Sequence, residues 1–289
     1  MVKKVFKKVV LTSKFCNKDV TDIALQCIEV LTNIGIEVAV TSELKQIDKK
    51  LYIDKLKVIR TADLVISIGG DGTMLDSAKN YGFHSIPILG INLGNLGFLT
   101  DIQPENINNS LLDIVSGKYT VDKRIFLEAK INERKKKFIA LNEVIIHSGS
   151  IAQLTEYEVY INETYVYKQR ADGLIVSTPT GSTAYSLSGG GPIVHPSVNA
   201  ITILPMLSHS VSTSPLLVKD TSKVSINILS ERINSELCLD SHNKLPLKKG
   251  DTVSINKSKN QLHLIHPKDH NFYAGCRSKL GWSAGVISN

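Results

Sequence analysis

Cysteine is scarce in this sequence of 289 residues. The four cysteines, Cys16, Cys27, Cys238 and Cys276, are scattered and form no Cys-x-x-Cys pair. A chain of this length with so few cysteines is typical of a reduced cytosolic protein and not of a scaffold linked by disulfides. We therefore expect a cytoplasmic location.

Long apolar runs are also missing. No stretch approaches the roughly 18 apolar residues that a membrane-spanning helix needs. The apolar run that follows the N-terminal lysines is only Val9-Val10-Leu11, whereas a signal peptide has about 7–15 apolar residues at that point. The sequence therefore predicts neither a secretory leader nor a membrane partner.

The composition is that of a globular protein with an excess of positive charge. Apolar residues make up 42% and charged residues 21%, and 34 Lys and Arg against 27 Asp and Glu leave a formal charge of +7. Such an excess is compatible with nucleic acid, an anionic membrane or a small phosphorylated ligand. Aromatic and basic residues are not interleaved as in single-strand binding proteins, so we predict no nucleic-acid partner.

The pattern along the chain changes at about residue 122. Residues 1–122 alternate strand and helix signals, which predicts an α/β domain with a mostly parallel sheet. Residues 123–270 contain short β-rich segments separated by Asn, Gly, Pro and Lys, which predicts an all-β, sandwich-like domain. The basic run Arg134–Lys137 falls at an expected hairpin tip, and we interpret it as a solvated turn.

The sharpest local motif is Gly69-Gly70-Asp71-Gly72-Thr73. It follows the apolar run Leu64–Ile68 and precedes a predicted helix, Met74–Tyr81. Glycines let the backbone approach a phosphate, and the start of a helix favours an anion. A carboxylate in such a loop suits contact with an attacking hydroxyl or with Mg²⁺. The structural alternative is an aspartate that only caps the helix.

A second set of motifs decides among the kinase families that share this loop, namely phosphofructokinases, diacylglycerol-type lipid kinases and NAD kinases. The stretch Asp172–Ser186 strongly resembles the longest signature of NAD kinases. Four further motifs resemble the same family in the same order: Asn142-Glu143, Gly189–Pro192, Asp240-Ser241-His242 and Leu264–Asp269. Because the resemblance runs from about residue 64 almost to the C-terminus, the chain is identified as a member of the bacterial NAD kinases.

The residue types in these motifs fit a dinucleotide without the family name. The hydroxyls of Thr178, Thr180, Ser182 and Thr183 are suited to reading a purine edge and a ribose. Tyr185 adds an aromatic face with a polar tip. The side chains of Asn142, Glu143 and Asp172 offer acceptors to ribose hydroxyls.

The resemblance implies transfer of the γ-phosphoryl of ATP to the 2′-hydroxyl of the adenosine ribose of NAD, with Asp71 as general base. Mg²⁺ would bind with ATP and not through protein side chains alone, and Gly70, Gly72 and Thr73 would face the phosphates. The implied NAD-binding residues are Asp71, Gly72, Phe98, Asn142, Glu143, Arg170, Asp172, Thr180, Thr183, Ala184, Tyr185, Ser188 and His242.

The resemblance also carries expectations about assembly. It implies a dimer or tetramer, and a C-terminal segment, residues 271–289, that returns to the α/β domain. Arg170 lies two residues before Asp172, so a single strand would place both side chains on the face that lines the NAD site.

Two alternatives and one discounted pattern complete the interpretation. A lipid kinase of the diacylglycerol type would share the glycine motif but would need a membrane-facing patch. A non-catalytic dinucleotide sensor would have no use for Asp71. His263, His266 and His270 have metal-like spacing, but residues three apart on a strand point to opposite faces. We therefore predict no metal site among these three histidines.

Overall fold

The computed structural model describes residues 4–94, 97–149, 154–207, 214–230 and 235–282, without the side chains of residues 242 and 243. The chain forms two compact units. The first contains residues 1–123 and 262–289, and the second contains residues 124–261.

The first unit alternates strands and helices from its N-terminus. Its elements are β1 (Lys8–Thr12), α1 (Lys18–Asn33), β2 (Glu37–Val40), α2 (Lys55–Thr61), β3 (Leu64–Ile68), α3 (Asp71–Asn80), β4 (Ile88–Ile91) and α4 (Ile107–Val115). The four strands are parallel and lie in the order β2-β1-β3-β4. This arrangement confirms the predicted α/β class with a mostly parallel sheet.

The apolar runs of the sequence explain why this sheet forms. All five residues of β3 are buried, as expected for a strand that is covered on both faces. Helix α1 begins where the side chain of Asn17 accepts a hydrogen bond from the backbone N–H of Val20. The buried side chains of α1, on one face of the helix, are Val20, Ile23, Ala24, Cys27 and Leu31.

The second unit is almost entirely β-structure. Its elements, in chain order, are β5 (Tyr119–Ile131), β6 (Phe138–Ala140), β7 (Glu143–His147), β8 (Thr155–Ile161), β9 (Thr164–Ala171), β10 (Gly173–Ser177), the short helix α5 (Tyr185–Ser188), β11 (Ala200–Met206), β12 (Leu216–Lys219), β13 (Val224–Ile228), β14 (Ser235–Leu239), β15 (His242–Leu247) and β16 (Thr252–Pro267).

These strands form two sheets around one apolar core. One sheet has the order β12-β11-β10-β7-β14-β15, and the other contains β16, β13, β8 and β9 together with β5 and β6. Buried side chains from both sheets, such as Val144, Ile146, Tyr157 and Val159, belong to the same core. This packing confirms the predicted sandwich-like all-β domain.

The basic run Arg134–Lys137 connects β5 and β6 as a hairpin tip. The Nζ atom of Lys137 lies 2.6 Å from the Glu128 carboxylate, and that of Lys136 lies 5.1 Å from the centre of the Phe138 ring. Two of the four charges therefore contact side chains of their own hairpin.

The end of the chain belongs to the first unit. Leu264 and Ile265 of β16 pair in parallel with β4, and helix α6 (Phe272–Leu280) follows. The boundary predicted at residue 270 thus differs from the structural division between residues 261 and 262, because the pairing with β4 adds a strand to the first unit. Residues 283–289 of the predicted C-terminal segment lie outside the described part.

Within the described ranges, no helix is both long and apolar enough to cross a bilayer.

Candidate functional site

The glycine motif of the first unit forms a tight turn from β3 into α3. Gly69 has a φ of +147°, and a Cβ added there would lie 2.4 Å from the hydroxyl oxygen of Thr73. Gly70 caps the helix, so Asp71 is the first residue of α3 and not part of a loop. The helix begins three residues before the predicted start at Met74, because a carboxylate is favourable in the first turn of a helix.

The Asp71 carboxylate is held from two directions. The backbone N–H of Phe98 donates to one oxygen at 3.0 Å, and that of Leu99 donates to the other at 3.1 Å. The Nζ atom of Lys279, on α6, donates to the first oxygen at 3.2 Å. A carboxylate has about four acceptor positions, so one remains for another donor such as a hydroxyl.

Gly97 permits this arrangement because it has no side chain. A Cβ added at this buried residue would lie 2.1 Å from an oxygen of Asp71 and 2.3 Å from the hydroxyl oxygen of Thr100. That hydroxyl already accepts a hydrogen bond from the side chain of Asn92. The segment that follows β4 is therefore shaped around the Asp71 carboxylate.

We expect Gly97→Ala to lower kcat about tenfold for the phosphoryl transfer that the family resemblance implies. The methyl group must push Asp71 or Thr100 aside, and a displacement that costs about 1.4 kcal/mol in the transition state changes the rate tenfold. Steady-state kinetics with NAD and ATP measures this effect. Gly94→Ala is the matched control, because an added Cβ at Gly94 meets no atom within 4 Å. Equal kcat values for the two variants would contradict the prediction.

Lys279 is a residue that sequence reasoning missed. Its Nζ atom contacts Asp71 and lies 5.0 Å from the centre of the Phe98 ring, a cation–π arrangement. No local pattern points to this contact, because Lys279 and Asp71 are separated by 208 residues. Phe98, predicted from the resemblance, thus contacts Asp71 through its backbone N–H, and its ring lies beside Lys279.

Two of the discounted histidines do come together, with a partner that the sequence did not indicate. Nδ1 of His266 contacts one carboxylate oxygen of Asp101, and Nδ1 of His270 lies 3.1 Å from the other. The two imidazole rings stack at a centroid distance of 3.9 Å. His263 is not part of this cluster, in agreement with the expectation that residues three apart on a strand diverge.

The two histidines of this cluster lower the pKa of the Asp101 carboxyl. Burial by itself would raise the pKa of this carboxyl, but the hydrogen bonds from His266 and His270 outweigh burial and hold the pKa below its ordinary value. The stacked, parallel rings direct both nitrogens at one carboxylate. The three ligand atoms lie within 4.8 Å of one another, so the absence of a metal site among these histidines stays a prediction.

In the second unit, the Ser/Thr-rich segment is packed against Asn142. The hydroxyl of Thr178 donates to the carbonyl of Leu141 at 2.6 Å and accepts from the N–H of Gly181 at 3.1 Å. A Cβ added at Gly181 would lie 2.2 Å from the carbonyl oxygen of Asn142. Only glycine allows this approach of the two backbone segments.

Several of these hydroxyls have structural partners. Ser182 donates to the carbonyl of Pro179 at 2.7 Å, and Thr183 donates to that of Thr180 at 3.3 Å. The hydroxyl of Thr180, a buried residue, accepts a hydrogen bond from Arg124 at 3.3 Å. The turn thus uses these hydroxyls to satisfy its own backbone, and their role in reading a purine edge and a ribose stays a prediction.

Asp240 organises the Asn142-Glu143 segment. Its carboxylate accepts hydrogen bonds from the backbone N–H groups of Leu141, Asn142 and Glu143, at 2.9, 2.8 and 3.1 Å. Asp240 is 2% exposed and has a φ of +48° in the turn between β14 and β15. The sequence showed Asp240 only as part of a family motif and did not reveal this role.

The remaining predicted residues differ in exposure. Asp172 and Tyr185 line a cavity of about 520 Å³ in the second unit. Asn142, Thr183 and Ala184 are half-buried, Glu143 is buried, and Ser188 is exposed. His242 begins β15, and its side chain lies outside the described part of the structure.

The expectation that Arg170 and Asp172 share one strand is wrong. Strand β9 ends at Ala171 and pairs with β8, where Arg170 lies opposite Glu156. Strand β10 begins at Gly173 in the other sheet, so Asp172 is the link between the two sheets. Because the two residues are not on one strand, side-chain alternation does not place the exposed Arg170 on the same face as Asp172.

Comparison with known proteins places both sets of motifs in one family. Residues 9–119 match the model of the ATP-NAD kinase N-terminal domain, and residues 141–267 match that of the C-terminal domain. A protein named NAD kinase from Teredinibacter turnerae is 44% identical over 232 residues, 79% of each chain. One from Salmonella choleraesuis is 46% identical over 230 residues, 78% of this chain and 79% of the relative.

Two solved structures share the fold. The crystal structure of yeast NADH kinase complexed with NADH has a TM-score of 0.89 and covers 98% of this chain and 90% of that one, at 24% identity. The NAD kinase of Archaeoglobus fulgidus in complex with ATP has a TM-score of 0.73 and covers 94% of this chain and 99% of that one, also at 24% identity.

Proposed function

We propose that this chain, which belongs to the ATP-NAD kinase family, transfers the γ-phosphoryl of ATP to the 2′-hydroxyl of the adenosine ribose of NAD. The products are NADP and ADP. The two matching domain models and the curated bacterial relatives support NAD kinase activity. The order of the motifs along the chain supports the same reaction.

The observation that carries the mechanism is the geometry of Asp71. Three donors hold its carboxylate at the start of α3, and about one acceptor position remains. In the proposed step, this position accepts the proton of the 2′-hydroxyl. The 2′-oxygen then bonds to the γ-phosphorus, and the bond from that phosphorus to the leaving ADP oxygen breaks.

The phosphates of ATP would bind at the turn that contains Gly70, Gly72 and Thr73. Gly70 and Gly72 are exposed, and an added Cβ at either meets no atom within 4 Å, so their backbone is open to a ligand. The first turn of α3 directs its N–H groups toward the same side. These features favour an anion next to Asp71.

Mg²⁺ fits this site as an ion carried by ATP. Asp71 is a single carboxylate with most of its acceptor positions used, which is too few for an all-protein cage. Mg²⁺ usually binds through one or two carboxylates together with substrate phosphates. When bound, it would neutralise charge on the phosphates of the donor.

NAD would bind through the half-buried and exposed groups around Asn142 and Tyr185. We place its ribose hydroxyls near the side chains of Asn142, Glu143 and Asp172. The Asp240 carboxylate would support this site by holding the Asn142-Glu143 backbone. Thr180 would contribute to the site through the shape of its turn, since its hydroxyl already accepts from Arg124.

Asp172→Ala is expected to raise KM for NAD by about one to two orders of magnitude. A hydrogen bond to a charged group contributes roughly 1.5–3 kcal/mol, and each 1.4 kcal/mol corresponds to a factor of ten. Initial rates at varied NAD and saturating ATP give this value. Glu156→Ala is the control, because it removes a carboxylate that pairs with Lys168 at 2.8 Å on the exposed side of β8. An unchanged KM in folded Asp172→Ala would remove Asp172 from the NAD site.

Self-association to a dimer or tetramer and a cytoplasmic location are part of this proposal. Both follow from the family resemblance and the sequence. All four cysteines are free thiols, which suits a reducing compartment. Light scattering of the purified chain measures the oligomeric state.

One assay tests the proposed activity. The purified chain is incubated with NAD, ATP and Mg²⁺, and NADP is detected with an NADP-specific dehydrogenase. We expect NADP to form only when all three are present. No NADP together with binding to anionic vesicles would favour the lipid kinase, and binding of NAD without turnover would favour the sensor.

A further inference from the structure

A second group of side chains of metal-ligand type lies on the six-stranded sheet of the second unit. We name His147, Glu236 and Cys238 the β7–β14 triad. His147 ends β7, and Glu236 and Cys238 belong to the neighbouring antiparallel strand β14. His147 pairs directly with Glu236, and Cys238 lies two residues further along the same strand.

The strand pattern explains why the three side chains meet. Residues two apart on a strand share a face, so Glu236 and Cys238 project to the side on which paired His147 also lies. The intervening Leu237 and its partner Ile146 point the other way, into the sandwich core. The triad therefore occupies the face of the sheet that does not form this core.

The distances within the triad suit one small cation. Nε2 of His147 lies 3.2 Å from Sγ of Cys238 and 3.7 Å from Oε2 of Glu236. All three ligand atoms lie within 4.8 Å of one another. Metal bonds of about 2.0–2.3 Å at tetrahedral angles separate ligand atoms by roughly 3.3–3.6 Å. The two direct distances agree with this range to within about 0.2 Å.

One oxygen of the Glu236 carboxylate favours the presence of a ligand at this position. Oε2 of Glu236 is buried and accepts no hydrogen bond within the described part of the chain. Nε2 of His147 and Nζ of Lys244 lie 3.7 and 3.8 Å from this oxygen, at ion-pair distances that are too long for hydrogen bonds. The side chain of Lys244 is 71% exposed and is able to swing into solvent. A bound metal ion would give this oxygen a direct contact that is shorter than its ion pair with Lys244.

The ligand types indicate which cation. Nitrogen, sulfur and carboxylate oxygen together favour a borderline-soft ion such as Zn²⁺ over Mg²⁺, which prefers oxygen alone. Three protein ligands leave one coordination position open. His147 and Cys238 line the cavity of about 520 Å³ that Asp172 and Tyr185 also line, so this position has room for water or a ligand atom.

We propose that the β7–β14 triad is a binding site for one Zn²⁺-like divalent cation, with an open fourth position at the cavity. The site is separate from the Mg²⁺ that accompanies ATP. It requires no phosphoryl transfer, so its test does not depend on the proposed function.

Titration of the reduced, metal-free full chain with Co²⁺ tests the proposal. We expect one Co²⁺ per chain and a near-ultraviolet charge-transfer band from the thiolate, which added Zn²⁺ removes by displacement. Cys238→Ser is a near-isosteric change that should keep the fold, as circular dichroism checks, and should abolish the band. His147→Gln should weaken Co²⁺ binding by at least about tenfold.

Cys16→Ser is the matched control, because Cys16 is a partly exposed thiol of the other unit whose Sγ lies 3.4 Å from the hydroxyl of Thr21. This variant should keep the band and the affinity of the unmodified chain. Absence of the band in the unmodified chain, or its persistence in Cys238→Ser, would overturn the proposal.

Discussion

Asp71→Asn is expected to lower kcat for NADP formation by about 10²–10⁴-fold, the usual contribution of a general base. The amide keeps the size of the side chain but does not accept the 2′-hydroxyl proton. It also offers one carbonyl oxygen where Phe98 and Leu99 each donate to a different oxygen of Asp71. One N–H thus loses its acceptor, at a cost of about 1–3 kcal/mol in stability.

The kinetics are therefore measured well below the melting temperature of the variant, with NADP detected enzymatically. Asp76→Asn is the matched control, because it makes the same chemical change on α3, at a carboxylate that pairs with Lys14 at 3.1 Å. It should retain nearly full kcat. If Asp71→Asn keeps more than a tenth of the original kcat, Asp71 is not the general base.

Asp240→Ala should destabilise the chain by about 3–5 kcal/mol and raise KM for NAD. Removing the carboxylate leaves the backbone N–H groups of Leu141, Asn142 and Glu143 without this acceptor. Hydrogen bonds to a charged group contribute roughly 1.5–3 kcal/mol each, although their sum is reduced by local relaxation. Chemical denaturation measures the stability, and initial rates measure KM.

Asp220, a second buried carboxylate, provides a control that separates loss of stability from weaker NAD binding. Asp220 is also 2% exposed and pairs with Lys257, on another sheet edge of the same unit. Asp220→Ala should be destabilising too, but its KM for NAD should stay within about twofold of the original. An unchanged KM in folded Asp240→Ala would show that the Asn142-Glu143 backbone does not need this carboxylate to bind NAD.

Much of the fold was predictable because its signals are local. The apolar run Leu64–Ile68 and the glycines that follow it predicted a buried strand and a tight turn, and β3 and α3 have these features. The error was in the start of the helix, where Gly70 caps α3 and brings Asp71 into the first turn. Caps depend on the conformation of single residues, so the sequence pattern located this boundary less well than the strand.

The site was predictable only in part. The Ser/Thr-rich segment was recognised, but the sequence did not show that the hydroxyls of Thr178 and Ser182 donate to nearby carbonyls. The prediction that Arg170 and Asp172 share one strand was wrong, because the chain passes from one sheet to the other between β9 and β10. A sequence does not show where a run of β-forming residues leaves one sheet for another.

The sequence by itself determined the two fold classes, the glycine turn around Asp71 and the family, since each depends on residues that are near one another or on motif order. Only the tertiary structure decided which groups hold the two aspartates. Asp71 contacts Leu99 across 28 residues and Lys279 across 208, and Asp240 holds Leu141 across 99. Such contacts depend on strand order and helix placement, which arise from packing of the whole chain and leave no periodic signal in the sequence.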